Sequence, residues 1–468
     1  MKMNMKKSLL IILYLTGQAF GYSYGQEALL ENYVKEGLES NLALQQKTAD
    51  FNKSLQALRA AQGLFYPNIS INARYTVARG GRTIDFPVGD MLNPVYGSLN
   101  YLIESGQLPI FEDPVFPTIE NEQFAFYRPR EHETKISVIQ PVINPAIYHN
   151  YQIEKERVTL QRTDITIYKR ELISEIKSAY YNYLKTVYLL RLVDETEDLL
   201  QENLRVSQSL FKNDKVTQDV VYRSEAELQK VYIGKAEAEK GNRTAKAYFN
   251  FLLNKSLDSE IEIFEYKTLP DLVVNDNFEE EIDQGVHSRE ELEQLSILST
   301  INHNYLKLVR SNNYPNILLA LDYGYQGEEY SFTQKDDFLL ASLVLRWPLF
   351  EGFRNRAEIQ KAKITQHQLE LKQEELENQI KLQIIQSYYE LLEASEAVEA
   401  AKIQVEAAEK AFRVINEKYR IGQSQLIEFT DARTTLTNSK QNLVIAVFEY
   451  KIREAELERA TAGLKISE

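Results

Sequence analysis

Glu428 and Asp431 are the residues of this chain whose type and spacing carry the clearest chemistry. They stand three apart, shortly after Gly422, and that spacing places both carboxylates on one face of a helix. Acids converging from several copies would attract cations and raise one another's pKa by repulsion. Acids in the first turn of a helix also stabilise its dipole without any partner. No enzymatic constellation competes with them. The histidines (His132, His149, His287, His303, His367) are scattered without metal-ligand spacing, and no serine nucleophile elbow or phosphate loop is read. Glycoside hydrolysis needs two carboxylates in a cleft, which helices of alternating charge do not offer. With no Cys, disulfides, thiolate zinc sites, Fe–S clusters and a Cys nucleophile are excluded. The reading is a non-enzyme with no metal and no cofactor.

The composition bounds what must position those acids. The chain has 468 residues, with 54 Lys and Arg against 68 Asp and Glu, a formal net charge of −14. Such a length usually splits into two or three domains. An acidic chain without a basic face predicts no nucleic-acid partner, and 44% hydrophobic residues exclude general disorder. Residues 1–25 read as a secretory signal peptide. Lys2, Lys6 and Lys7 precede the apolar run 8–15, and cleavage is expected after Gly25, with Gly21 the alternative. No later stretch reaches the ~18 apolar residues of a spanning helix, so membrane insertion would use strands.

The chain repeats itself. Tyr66-Pro67-Asn68-Ile69 recurs as Tyr314-Pro315-Asn316-Ile317, and Pro141 aligns with Pro348. The stretch from Ser178 through Tyr180-Tyr181 matches that from Gln386 through Tyr388-Tyr389 at an offset of 208, held to Phe211-Lys212 against Tyr419-Arg420. The first repeat spans 26–254 and the second 280–468, joined by an equatorial linker at 255–279 in which 260–264 suggests a short strand. Each repeat reads as one helix (26–64, 280–312), a β-hairpin, a very long helix, a tip and a return helix, with a C-terminal tail after the last.

The hairpins are expected at 68–140 and 317–347, with strands at 68–78, 133–140, 317–325 and 338–347. Each alternates apolar and polar residues, and aromatics stand near the ends, a pattern typical of outer-membrane strands. Tyr66, Tyr75, Tyr314, Tyr323 and Trp347 are the candidate interface aromatics, whereas Tyr180, Tyr181, Tyr388 and Tyr389 read as mid-helix core. The first hairpin carries a long loop or small subdomain at 78–129, holding six of the twelve prolines.

The long helices are expected at 146–212 and 353–420, free of Pro and Gly and about 100 Å long at 1.5 Å per residue. Val398, Ala401, Val405, Ala408, Phe412, Ile415 and Tyr419 form a coiled-coil seam; the first-half counterpart is interrupted by Glu197 and Ser207. Tips at 213–217 and 421–425 turn the chain back, with Gly422 in a left-handed conformation. Its counterpart Asp214 tolerates that conformation better than most residues.

Four strands cannot close a barrel, and open edges in lipid are costly, so several copies must share one. The fold class is therefore mainly α with transmembrane β, internally duplicated. A soluble periplasmic or surface coiled-coil scaffold is the alternative.

The tip segment Lys418-Tyr419-Arg420-Ile421-Gly422-Gln423-Ser424, the following Glu428-Phe429-Thr430-Asp431-Ala432, the run 434–441 (Thr-Thr-Leu-Thr-Asn-Ser-Lys-Gln) and Trp347-Pro348-Leu349-Phe350-Glu351-Gly352 resemble the TolC-type outer-membrane efflux proteins. The resemblance covers essentially the whole chain after the signal segment. It implies a homotrimer in outer-membrane lipid, with four strands per chain in a trimeric 12-stranded barrel continued into the periplasm by a long α-helical coiled-coil tunnel. It implies a passive conduit of a tripartite efflux or type I secretion system. The partners would be a periplasmic adaptor (membrane fusion) protein and an inner-membrane RND, ABC or MFS transporter. Glu428 and Asp431 match family acids that point into the periplasmic pore constriction. Tyr419 matches a residue that links neighbouring helices in the closed state. The first tip departs from the pattern, with Asp214 for the usual Gly and Val220 where an acid would match Glu428.

Overall fold

The computed structural model describes residues 28–107, 116–263 and 278–463. The signal segment lies outside them, as do parts of the outer loop, the inter-repeat linker and the C-terminal tail. In chain order the elements are α1 (28–40), α2 (Leu42–Gly63), β1 (Asn68–Val77), β2 (Thr83–Phe86), α3 (Val88–Glu104), β3 (Glu122–Ala125), β4 (Arg130–Ile143), α4 (Pro145–Lys212), α5 (Gln218–Leu252), α6 (Phe278–Ser288), α7 (Glu290–Ser311), β5 (Asn316–Gly327), β6 (Asp337–Arg346), α8 (Arg354–Arg420) and α9 (Leu426–Ala460). They form two compact units, one of residues 59–151 with 305–359, the other of the remaining residues.

The first unit holds an antiparallel sheet in the order β1-β4-β5-β6. Register places Ile71, Ile136, Tyr323 and Leu339 in one row, and that face continues through Ile69, Val138, Leu321 and Leu343. The opposite face is mixed, with Ile139, Leu318, Leu340 and Val344 beside a polar network. Lys135 Nζ meets Asp322 at 2.9 Å and Glu133 at 3.1 Å, while Glu133 also takes Arg74 at 3.1 Å. Asn72 donates to Ser137 at 3.2 Å and Gln326 to Glu131 at 2.9 Å. Period-two alternation thus sorts one sheet into an apolar and a hydrogen-bonded face.

Several strand limits differ from the sequence reading: β4 begins at Arg130 rather than at 133, and β5 spans Asn316–Gly327 rather than 317–325. β4 runs three residues past the expected Gln140, because Pro141 pairs with Leu318 and a bulge at Val142 absorbs its missing donor. Trp347 lies just beyond β6, its indole donating to Asn313 O at 3.0 Å. The outer segment holds the short hairpin β2–β3 and the 17-residue helix α3, which contains Pro94. Asn93 and Asn100 hold α3 to the chain returning to β3: each amide both donates to and accepts from one backbone unit, at Ile119 and Phe116, over 2.8–3.0 Å.

The second unit is helical. Its largest core cluster packs Tyr33, Tyr180 and Phe249 in tilted and edge-to-face pairs at 5.1–5.7 Å between ring centres, with Tyr180, Leu184 and Phe249 fully buried. Burying each such side chain stabilises by roughly 1.5–3 kcal/mol. Tyr389, read as core, is instead 57% exposed in the single chain.

The single opening helix expected in each half is two helices, broken at Asn41 and at Arg289. These positions are equivalent in the repeats, 248 residues apart like Pro67 and Pro315. Both side chains are buried and turned to the end of a return helix: Asn41 Nδ2 donates to Leu252 O at 2.9 Å, and Arg289 Nη1 to Ala460 O at 3.1 Å. The expected strand at 260–264 is irregular over its described residues. Ile261 is buried there and the Glu262 N–H donates to the Tyr33 hydroxyl at 2.8 Å.

Candidate functional site

Both long helices stop the same way. Asp214 (φ 55°) and Gly422 (φ 75°) occupy the left-handed region. The N–H of each reaches back three residues, to Phe211 O and Tyr419 O at 3.0 Å. The next N–H reaches back five, Lys215 to Leu210 O at 2.9 Å and Gln423 to Lys418 O at 2.8 Å. This double bond pattern is the Schellman termination. It satisfies orphan carbonyls and leaves each return helix within a few residues of the turn.

Between the two hairpins lies a buried cluster of Leu200, Leu228, Tyr419 and Phe429. Tyr419, 2% exposed, stacks on Phe429 at 4.9 Å and 29°. Its hydroxyl lies 2.9 Å from Ser207 Oγ, which lies 2.8 Å from Ser224 Oγ and donates to Asn203 O at 2.9 Å. One hydroxyl chain therefore ties α8 to α4 and α5, while ring stacking ties α8 to α9. The repeat-equivalent Phe211 has no hydroxyl and is 40% exposed. Duplicated positions have thus taken different tasks in the two halves.

A second tie lies further along. Arg433 on α9, buried, donates from Nη2 to Glu227 on α5 at 2.9 Å. Glu227 also takes Lys230 from its own helix at 2.5 Å. Arg433 Nε is buried with no partner, and burial holds the guanidinium pKa below its ordinary value against the pull of Glu227.

Glu428 and Asp431 are exposed at the start of α9. Glu428 accepts the Ser424 hydroxyl and the Gln425 N–H, the latter at 3.2 Å. This is the reach-back half of a capping box. Those bonds, the Ser424 hydroxyl foremost, hold its carboxyl below the ordinary value. Within one chain the direction is opposite to the upward shift expected where copies converge.

Of the interface aromatics, Tyr66, Tyr314 and Trp347 are exposed beside the ends of the sheet that join α2, α7 and α8, and Tyr75 beside the other end. Tyr323 is exposed within the body of β5, opposite Ile136. Sequence reasoning passed over Ser207, Ser224, Glu227 and Arg433. Ser207 alone left a signal, as a polar interruption of the first-half seam.

Comparison with known proteins gives a consistent answer. The family model described as outer membrane efflux protein matches residues 303–463. The Outer membrane protein TolC of Escherichia coli (strain K12) is 22% identical over 488 residues, covering 98% of this chain and 87% of that one. The outer-membrane channel OprN has a similar structure, with a TM-score of 0.73 at 12% identity, over 93% of this chain and 90% of that one. The Campylobacter jejuni CmeC outer membrane channel does as well, at 0.73 and 12%, over 93% and 85%. At such identity the structural likeness is one of fold.

Proposed function

We propose that the chain is a member of the outer membrane efflux protein family, whose model matches residues 303–463, and that copies of it build and gate a conduit. It is an outer-membrane channel of efflux systems, not an enzyme.

The observation that carries the assembly is the open sheet. β1 and β6 are both edges, and unpaired backbone groups in hydrocarbon cost several kcal/mol each. Because the four strands alternate in direction, β6 of one copy meets β1 of the next antiparallel in a ring of any number of copies. Three copies give twelve strands, with the apolar face toward lipid and the Lys135–Asp322 face lining the lumen. A soluble scaffold would not expose Ile71 at 74%, Leu339 at 74% and Leu343 at 71% in one apolar face.

At the periplasmic end, the Tyr419–Ser207–Ser224 chain and the Arg433–Glu227 pair hold the α8–α9 hairpin against α4–α5 and keep the tip closed. Three copies of Glu428 and Asp431 form the constriction and favour cations. Opening exchanges those ties for contacts with a periplasmic adaptor coupled to an inner-membrane RND, ABC or MFS transporter. Each neutral hydrogen bond of the Tyr419–Ser207–Ser224 chain contributes about 0.5–1.5 kcal/mol, so that chain helps close the tip without locking it.

The test is native mass of the detergent-extracted particle followed by bilayer recording. Three chains and a small, cation-selective conductance support the reading; a particle without conductance in any variant removes it.

A further inference from the structure

Beyond the conduit, we propose that the ribbon joining β1–β4 to β2–β3 binds the phosphates of an outer-leaflet glycolipid through Arg79, Arg82, Arg128 and Arg130. The inference rests on the outer-membrane placement of the sheet and not on its gating.

The chain enters β1 from α2 and leaves β4 into α4, so the 78–129 end of the sheet is the end away from the periplasm. β1 has ten residues, the length of one tilted spanning strand. Residues immediately past it therefore stand at headgroup depth. The two chains stay paired there. Val77 faces Arg130, the Ala78 N–H donates to Pro129 O at 3.1 Å, the Phe126 N–H donates to Arg82 O at 2.9 Å, and Thr83 pairs with Ala125. Gly80 and Gly81, at φ 77° and 108°, bend this ribbon.

Four arginines and no acid occupy residues 78–82 and 126–130 of a chain that is otherwise acidic. Elsewhere several cations of the helices pair within a turn, as Arg205 does with Glu202. Here, among the described residues, Arg79, Arg82 and Arg130 meet no carboxylate, and Arg128 reaches only exposed Glu328 at 3.8 Å. The Arg82 guanidinium sits 4.4 Å over the Phe126 ring, which fixes its plane while leaving its N–H edge to solvent. Exposed Tyr127 packs edge-on against Phe126 at 5.4 Å between ring centres, as suits a lipid interface. Planar guanidinium forks match phosphate oxygens bidentately. A cationic ribbon at headgroup depth, without an acid of its own and with exposed aromatics within it, thus complements an anionic lipid headgroup.

The full-length protein in detergent is titrated with phosphorylated lipid A and with the same lipid after phosphate removal, read by native mass spectrometry. The proposal expects phosphorylated lipid to bind at least about tenfold tighter, binding to persist in millimolar inorganic phosphate, and a quadruple Arg→Gln variant to lose that preference while remaining trimeric with unchanged conductance. Equal affinity for the two lipids by the unmodified protein overturns it without any variant. So does displacement by inorganic phosphate, which marks a free-anion site, and so does dissociation of the variant trimer, which marks a contact between copies. Loss of conductance in the unmodified protein would instead defeat the channel reading and leave lipid binding intact.

Discussion

The Tyr419 hydroxyl lies 2.9 Å from Ser207 Oγ, 212 residues earlier in the chain. Each long helix reaches its own tip by local rules, and this bond joins the two results. Tyr419→Phe keeps the stack on Phe429 and removes the hydroxyl. The change should cost about 1 kcal/mol and raise the open-state conductance or open probability in planar bilayers. A variant indistinguishable from the parent in bilayers would assign Tyr419 to packing alone.

The Arg433–Glu227 tie behaves differently because it is charged and buried. Glu227→Ala leaves Arg433 buried without its counter-charge, a loss of about 3–5 kcal/mol when one partner of such a pair is removed. Glu227→Ala combined with Arg433→Leu should recover most of that stability. Thermal unfolding of the four proteins of this cycle checks it, and strictly additive effects would contradict the pairing.

Much of the fold was legible because the repeats state it twice. The tips at Asp214 and Gly422 and the return-helix ends at Asn254 and Ala462, all with positive φ, are related by the same offset of 208 found in the Tyr-Tyr match. The breaks at Asn41 and Arg289 were less legible. Asn41 is a favoured N-cap whose Oδ1 accepts the Ala43 and Leu44 N–H groups at 3.0 Å, a weak local signal, whereas Arg289 carries none. Each side chain is also held by a carbonyl more than 170 residues away, which no local pattern records. The helix α3 was hidden for a related reason. Its prolines read as loop, while the asparagine bonds to Ile119 and Phe116 that stabilise it depend on chain return. At the tip, the acids and Tyr419 carried local signals, but Arg433 and Glu227 lie on different helices and find each other only after folding.

Glu428 gives the tip a pH dependence of defined sign. Its folded pKa is depressed below the ordinary value of 4.5, so its capping contribution is present above that value. It is lost as pH falls through the lower folded one. Protection of the amides at residues 422–428, relative to their intrinsic exchange rates, should fall only below about pH 4.5, and Glu428→Gln should flatten that response. A loss of protection on raising the pH instead would reverse the assignment. Together with Asp431→Ala, Glu428→Ala should also lower cation selectivity and weaken block by multivalent cations.

The two faces of the sheet predict opposite tolerance. Ile71→Arg places a charge on the apolar face and should cost about 2–4 kcal/mol near the bilayer midplane, seen as loss of heat-stable oligomer in membranes. Asn72→Arg, one residue on and facing the polar network, should assemble normally and alter conductance. The reverse pattern would mean that the lipid and lumen faces are exchanged.

The most direct test of the whole account is the native mass of the full-length particle extracted from purified outer membranes in detergent. Three chains per particle, released only by detergent, are the predicted result. A monomer or dimer recovered in aqueous buffer would contradict the closed barrel, and the gate at Tyr419, Glu428 and Asp431 with it.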